Sequence, residues 1–201
     1  MITLVDYGLG NIQAFANIYR RLNIQVRIAR TADQLADATK LILPGVGAFD
    51  WAMTRLNASG MRECLDRLVK DEGRPVLGVC VGMQMMARRS EEGELDGLGW
   101  VRGEVLKVDS SGLMAKTQLP HMGWNDVRPL QGASLFTGIE SPRFYFLHSY
   151  YFKTDLPSNV LATTCYGIEF ASAIKADNIY GTQFHPEKSH RWGVDLLKNF
   201  A

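Results

Sequence analysis

In the first half of the chain, continuous apolar runs alternate with segments whose apolar positions recur at helical spacing. Ile2–Val5, Leu41–Leu43 and Pro75–Cys80 are such runs, and unbroken runs of this length mark strands buried on both faces, as in a parallel sheet. Between them the pattern predicts a helix from Asn11, which stands where it can cap, through Leu22. It also predicts a strand at Val26–Ile28, a short helix around Asp33–Ala38 and a helix beginning near Asp50. Met61–Lys70 reads as an amphipathic helix that turns Leu65, Leu68, Val69 and Cys64 toward the core. From Leu98 the period changes to alternation. Val101–Val108, Trp124–Val127, Phe144–Phe152, Val160–Cys165, Ile168–Ala176 and Asn178–Gln183 read as strands, with a turn at Ala176-Asp177-Asn178. Cys165 reads as structural within its strand. A helix over His190–Ala201 closes the chain, with Leu196, Leu197 and Phe200 inward. A βαβα half followed by a strand-rich half predicts one α/β domain over residues 1–201, a three-layer αβα sandwich around a mostly parallel sheet with added antiparallel strands. Its site is expected at the carboxyl ends of the parallel strands.

Composition narrows the classes without adding a new one. The 201 residues are enough for a full core, and 46% hydrophobic with 21% charged is ordinary for a globular chain. A net charge of +1 gives no electrostatic case for nucleic acid or an anionic membrane. No run approaches the roughly 18–20 apolar residues of a membrane span. Met1–Asp6 enters a strand pattern at once, without the basic segment and longer apolar core of a secretion signal. Cys64, Cys80 and Cys165 are odd in number and far apart, which argues against a disulfide framework and for a reducing cytoplasm. No C-x-x-C metal spacing occurs, and no metal or cofactor is expected. Gly8-Leu9-Gly10 lacks the third glycine of a dinucleotide loop and reads as a tight βα turn.

The candidate chemistry centres on Pro75-Val76-Leu77-Gly78-Val79-Cys80-Val81-Gly82-Met83-Gln84. It has the G-x-C-x-G spacing of a nucleophile elbow, a strand that turns sharply into a helix continuing through Arg89. The turn needs small neighbours, and a cysteine at a helix N-terminus is favoured as thiolate by free N–H groups and the macrodipole. The competing reading is a buried cysteine of a core strand. Far downstream, Gly181–Glu187 reads as a strand ending in His185-Pro186-Glu187. His185 and Glu187 share a side if the chain stays extended, as Pro186 favours. That permits a relay in which Glu187 orients His185 and His185 takes the Cys80 proton. His148 is the rival base; His185 is preferred because Glu187 accompanies it. The Pro44-Gly45-Val46-Gly47 turn lets backbone approach a ligand. It is either a plain turn or half of an oxyanion hole, with the Val81 N–H opposite Gly47 or the Val46–Gly47 peptide.

Gly78–Gln84 with His185-Pro186-Glu187 resembles the triad-type (class I) glutamine amidotransferases, a flavodoxin-like α/β family. Asp6–Asn11, Pro44–Phe49 and Pro120–Asn125 narrow the resemblance to glutaminase subunits of imidazole glycerol phosphate synthase. The resemblance implies glutamine hydrolysis, with ammonia passed to a TIM-barrel cyclase in a heterodimer of histidine biosynthesis. It implies that Gln84, Glu92, Tyr145, His148, Ser149 and Tyr150 approach the glutamine, Glu92 through its α-amino group. Glu91 and Glu94 are equally suited by chemistry. It implies too that the Val46–Gly47 peptide rotates on activation, and that Asn11, His121, Met122, Trp124 and Asn125 lie toward the partner.

Four other readings stay open. The same glutaminase can feed a sugar amidotransferase of surface polysaccharide synthesis. The chain can be a cysteine peptidase or amidase of similar fold, against which Gly82-Met83-Gln84 and Pro120–Asn125 speak. It can be a non-catalytic binding subunit, which predicts a lost nucleophile or base. A metal hydrolase fits worst, since one Cys, one His and one Glu make a poor zinc set.

Overall fold

A computed structural model describes residues 1–109 and 118–201. The apolar runs become β1 (Ile2–Val5), β3 (Leu41–Gly45) and β4 (Val76–Cys80), each buried along its whole length. With β2 (Val26–Ala29) and β12 (Ile179–Thr182) they form the parallel part of an eight-stranded sheet. The antiparallel strands β11 (Ile168–Ala176), β10 (Val160–Tyr166) and β7 (Arg128–Pro129) extend one edge, in the order β2-β1-β3-β4-β12-β11-β10-β7. Parallel strands need crossovers, and helices supply them. These are α1 (Ile12–Arg21), α2 (Ala32–Leu35), α3 (Phe49–Ala58) and α4 (Arg62–Asp66), the last running on into a wider turn at Arg67–Asp71. A single turn, α5 (Val81–Gln84), follows β4, and α6 (His190–Phe200) ends the chain with Leu196, Leu197 and Phe200 buried. α1 packs on α6, whereas α2 packs on α4 and α3 on α5.

Two features depart from the expected pattern. Phe144–Phe152 is not one strand but two, β8 (Arg143–His148) and β9 (Tyr150–Thr154). They separate at Ser149 because they pair with different partners: β8 with β6 (His121–Asp126), β9 with β5 (Gly103–Lys107). The elbow helix stops at Gln84 rather than continuing through Arg89. Beyond it the carbonyls of Met85, Met86 and Ala87 accept from the N–H groups of Leu98, Val101 and Gly99, so the chain pairs with that returning segment instead of with itself. Asn11 lies at the start of α1, but its side chain makes no capping hydrogen bond among the described residues. Cys165 is exposed on the outer face of β10, not structural in a core, and Cys64 is half-buried. No helix among the described residues is long and apolar enough to cross a membrane.

Candidate active site

β3, β4 and β12 are neighbours, and their carboxyl ends bring three turns together. Cys80 is the last residue of β4 and pairs with Gly45, the last of β3. Its backbone has φ 55° and ψ −115°, a conformation rare for a residue with a side chain. Such strain persists where the surroundings enforce it. Here they do, because Gly82 packs directly on β3: a Cβ at Gly82 would overlap the Leu43 carbonyl. Since α5 is one turn long, the field at Cys80 comes from local N–H groups rather than a summed helix dipole.

After β12 the chain alternates sides. Phe184 stacks on Phe144 in the core, with ring centroids 4.0 Å apart, while Gln183 and His185 face the other way. The His185 backbone is clamped: its N–H donates to Tyr145 O at 2.9 Å and its carbonyl accepts from Ser189 Oγ at 2.6 Å. Pro186 opens a tight helical turn, Pro186–Lys188, rather than prolonging the extension. That turn still brings Glu187 Oε1 to 2.9 Å from His185 Nδ1, with the two side chains 2% and 3% exposed respectively. Nε2 is thereby left for the Cys80 sulfur. Burial alone would push the His185 imidazolium down. The charge and hydrogen bond of the Cys80 sulfur, followed by those of Glu187, outweigh it and raise the pKa to about 10.

Cys80 and His185 open on one cavity of about 290 Å³, lined also by Val46, Gly47, Val81, Gln84, Glu92, His148, Ser149 and Tyr150. Gly47, at φ +86°, forms its exposed edge beside Trp51. Of the three carboxylates of the charged run, it is Glu92 that faces the cavity, anchored by the Phe49 N–H at 2.9 Å. Burial, offset by that hydrogen bond and aided by the nearby Asp50 charge, raises its pKa.

His148 has both ring nitrogens engaged, Nδ1 with Tyr150 O at 2.8 Å and Nε2 with His121 Nδ1 at 2.9 Å. Burial and the His121 ring lower its pKa to about 3, so it lines the cavity as a neutral ring and has no nitrogen free to act as the base. Tyr145 is not in the lining. It acts through its backbone, holding His185 and Ser189. His121 is likewise not a surface group: it is buried between Tyr166 and Phe146, with centroids at 3.8 and 4.6 Å. Met122 is 64% exposed, and Trp124 lies flat on His190 at 5.2 Å. Asn125 donates to Cys165 O at 3.0 Å.

Sequence reasoning missed Gln183, Lys188, Leu147 and Pro120. Gln183 was within reach, since it stands two residues before His185 on an extended segment and so shares its side. Lys188, Leu147 and Pro120 complete the cavity wall; Pro120 opens the Pro120–Asn125 stretch, but no pattern marks Lys188 or Leu147. No group of three or more His, Cys, Asp or Glu that could hold a metal ion occurs among the described residues.

An elbow cysteine, a histidine–carboxylate pair and a small cavity on an α/β sheet describe the class I glutamine amidotransferases, and the chain belongs to that family: residues 3–201 match the profile described as glutamine amidotransferase class-I. The fold agrees. A solved glutamine amidotransferase superposes with a TM-score of 0.73 at 19% identity, covering 98% of both chains. A chain of PurLQS from Thermotoga maritima gives 0.72 at 16%, covering 99% of this chain and 96% of that one. Within the class, the chain belongs with the proteins named imidazole glycerol phosphate synthase subunit HisH. It is 59% identical to that of Bdellovibrio bacteriovorus and 48% to that of Leptospira interrogans, each across 100% of this chain and 99% of the relative. It is 44% identical to HisH 2 of Methanococcus maripaludis, across 100% of this chain and 98% of the relative.

Proposed function

We propose that this chain is the glutaminase subunit of an imidazole glycerol phosphate synthase. It hydrolyses the side-chain amide of glutamine and delivers the ammonia to a partner subunit in histidine biosynthesis. The observation that carries the reading is His185, held by Glu187 at 2.9 Å and opening with Cys80 on one small cavity. At about 290 Å³ that cavity is at the low end for small-molecule sites, suited to a single amino acid rather than a peptide.

In this reading Cys80 Sγ attacks the carboxamide carbon as a thiolate. The Val81 N–H and Gly47, or the Val46–Gly47 peptide, meet the developing oxyanion. His185, oriented by Glu187, gives its Nε2 proton to the departing nitrogen. The C–N bond breaks, and ammonia leaves with a thioester on Cys80. Water then gives a proton to His185 and its oxygen to the carbonyl carbon. The C–S bond breaks, restoring thiolate and imidazolium; the new side-chain carboxyl, which carries water's second proton, loses it to solvent and leaves as glutamate. Glu92 takes the substrate ammonium, while Gln84, His148, Ser149 and Tyr150 shape the pocket. No step calls for a cofactor.

Free ammonia in water is mostly ammonium and no longer a nucleophile, so the product has to pass through a sealed path. The partner is a TIM-barrel cyclase subunit in a cytoplasmic heterodimer, converting the ammonia into imidazole glycerol phosphate and an aminoimidazole carboxamide ribotide. It covers the face that carries Asn11, Met122, Trp124 and Asn125. Leu147, 38% exposed beside its cross-strand neighbour Met122, extends that apolar face to the cavity. His121 supports the face from behind. Glutamine turnover measured with and without the cyclase subunit tests this: the partner raises it by about tenfold or more, the range of ordinary coupling between sites. Equal rates would contradict partner control, and no turnover in either would contradict the glutaminase.

A further inference from the structure

Gln183 is fully buried, and the reaction as derived leaves its side chain unused. A buried amide has to find partners for two N–H protons and an oxygen. Its Nε2 lies 3.9 Å from Cys80 Sγ, within reach of the large sulfur atom, and its Oε1 lies 3.1 Å from Gln84 Nε2. Which end of a side-chain amide is nitrogen follows from the network around it. The Tyr150 carbonyl oxygen can only accept, and it lies 3.0 Å from the Gln84 amide and 2.8 Å from His148 Nδ1. Gln84 must therefore turn its NH2 to Tyr150. The same NH2 donates its second proton to Gln183, which must answer with oxygen. The remaining arm of Gln183, its NH2, is left facing the sulfur.

The same carbonyl fixes a second line of hydrogen bonds. His148 donates from Nδ1 to Tyr150, so its Nε2 accepts from His121 Nδ1, and His121 Nε2 accepts from Asn125 Nδ2 at 3.2 Å. Each line admits one assignment only: the histidine line runs to Tyr150 O, and the glutamine line runs outward from Gln84, to Tyr150 O on one side and through Gln183 to Cys80 Sγ on the other.

We propose that Gln183 is a positioning residue of this site: its side-chain N–H, held in one orientation by Tyr150 O through Gln84, donates to Cys80 Sγ and holds the sulfur as an anion beside His185. The inference rests on the reading of Cys80 as nucleophile. A carboxylate or an apolar chain in place of Gln183 would confront the sulfur with repulsion or with nothing. Packing alone would be indifferent to the protonation state of the sulfur, and that difference is measurable.

The test is alkylation of the full chain by iodoacetamide across pH, resolved by peptide mass, with the exposed Cys165 as internal reference. In Gln183→Met, which keeps length and removes the donor, Cys80 reacts about tenfold or more slowly than in the parent at pH 7, relative to Cys165, and its profile moves to higher pH. Gln183→Glu moves it further. In the complex with the partner, kcat for glutamine falls with alkylation while KM stays within about threefold, as expected for an interaction that strengthens toward the transition state. A folded Gln183→Met with the parent's Cys80 profile overturns the proposal. If that variant does not fold, Gln84→Met releases the orientation of Gln183 and predicts the same upward move; an unchanged profile there overturns it equally. Parent Cys80 no more reactive at pH 7 than Cys165 would instead contradict the nucleophile reading itself.

Discussion

His185 is buried deeply enough that desolvation alone would strip its proton, yet the sulfur and carboxylate around it keep that proton to about pH 10. A group with a raised folded pKa adds stability that is fully present below about pH 6.5 and is lost as pH rises through about 10. Glu187 is one of the causes, and its Oε2 has no hydrogen-bond partner among the described residues, so the carboxylate's hold on the site runs through Oε1. Glu187→Gln should therefore lower the NMR titration midpoint of His185 and reduce kcat/KM for glutamine by about 10²–10⁴, as expected when the group orienting a catalytic imidazole loses its charge. An unmoved midpoint would contradict the role given to Glu187. At this scale the sequence was informative where chemistry leaves a spacing. Cys80 between two glycines and His185 two residues from Glu187 were legible as spacings that permit a relay; the structure puts Cys80 and His185 on one cavity, with Glu187 behind His185. Tyr145 and His121 were read from resemblance as ligand and surface groups, but one serves through its backbone and the other is stacked in the core. Backbone service and burial by distant rings leave no mark in a local pattern.

Among the elements, β4 and its elbow tolerate little change. The sheet is tight enough that Gly82 sits against the β3 backbone. Gly82→Ala should destabilise the fold by about 1–3 kcal/mol, the typical cost of overpacking. Thermal unfolding checks it, with a midpoint lower by roughly 2–12 °C for a chain of this size; a shift under a degree would mean that the elbow turn moves away from β3 freely. The sheet was legible because its strands are buried on both faces. The early stop of the elbow helix was not, because Met85–Arg89 are good helix formers, and the carbonyls of Met85–Arg88 are taken by the returning 97–101 segment and that of Arg89 by Val105. β6 and β8 carry a second consequence. His121 and His148 face each other across that pair, with pKa values lowered to about 4 and about 3. As pH falls from about 6.5 toward 4, the unfolded chain takes up protons that the folded chain refuses, so stability falls with acid over that window. Urea midpoints at pH 7, 6 and 5 should drop in order. His148→Asn, which keeps a donor for Tyr150 O, should flatten the slope; a slope unchanged by that substitution would exonerate the pair.

In the whole molecule, one sheet brings three loop ends to a single cavity, with exposed Leu147 in its wall and Met122 across the strand from Leu147. Met122 and Leu147 point outward, an apolar pair on the face where a partner subunit is proposed to dock. Everything in the account depends on Cys80 forming a bond to the substrate carbon. The most direct measurement is glutamine hydrolysis by the assembled complex carrying Cys80→Ala, whose small change at a strained elbow leaves the cavity otherwise intact. The account predicts a loss of about 10³-fold or more, as when any nucleophile of a concerted triad is removed. A loss of less than tenfold would contradict it.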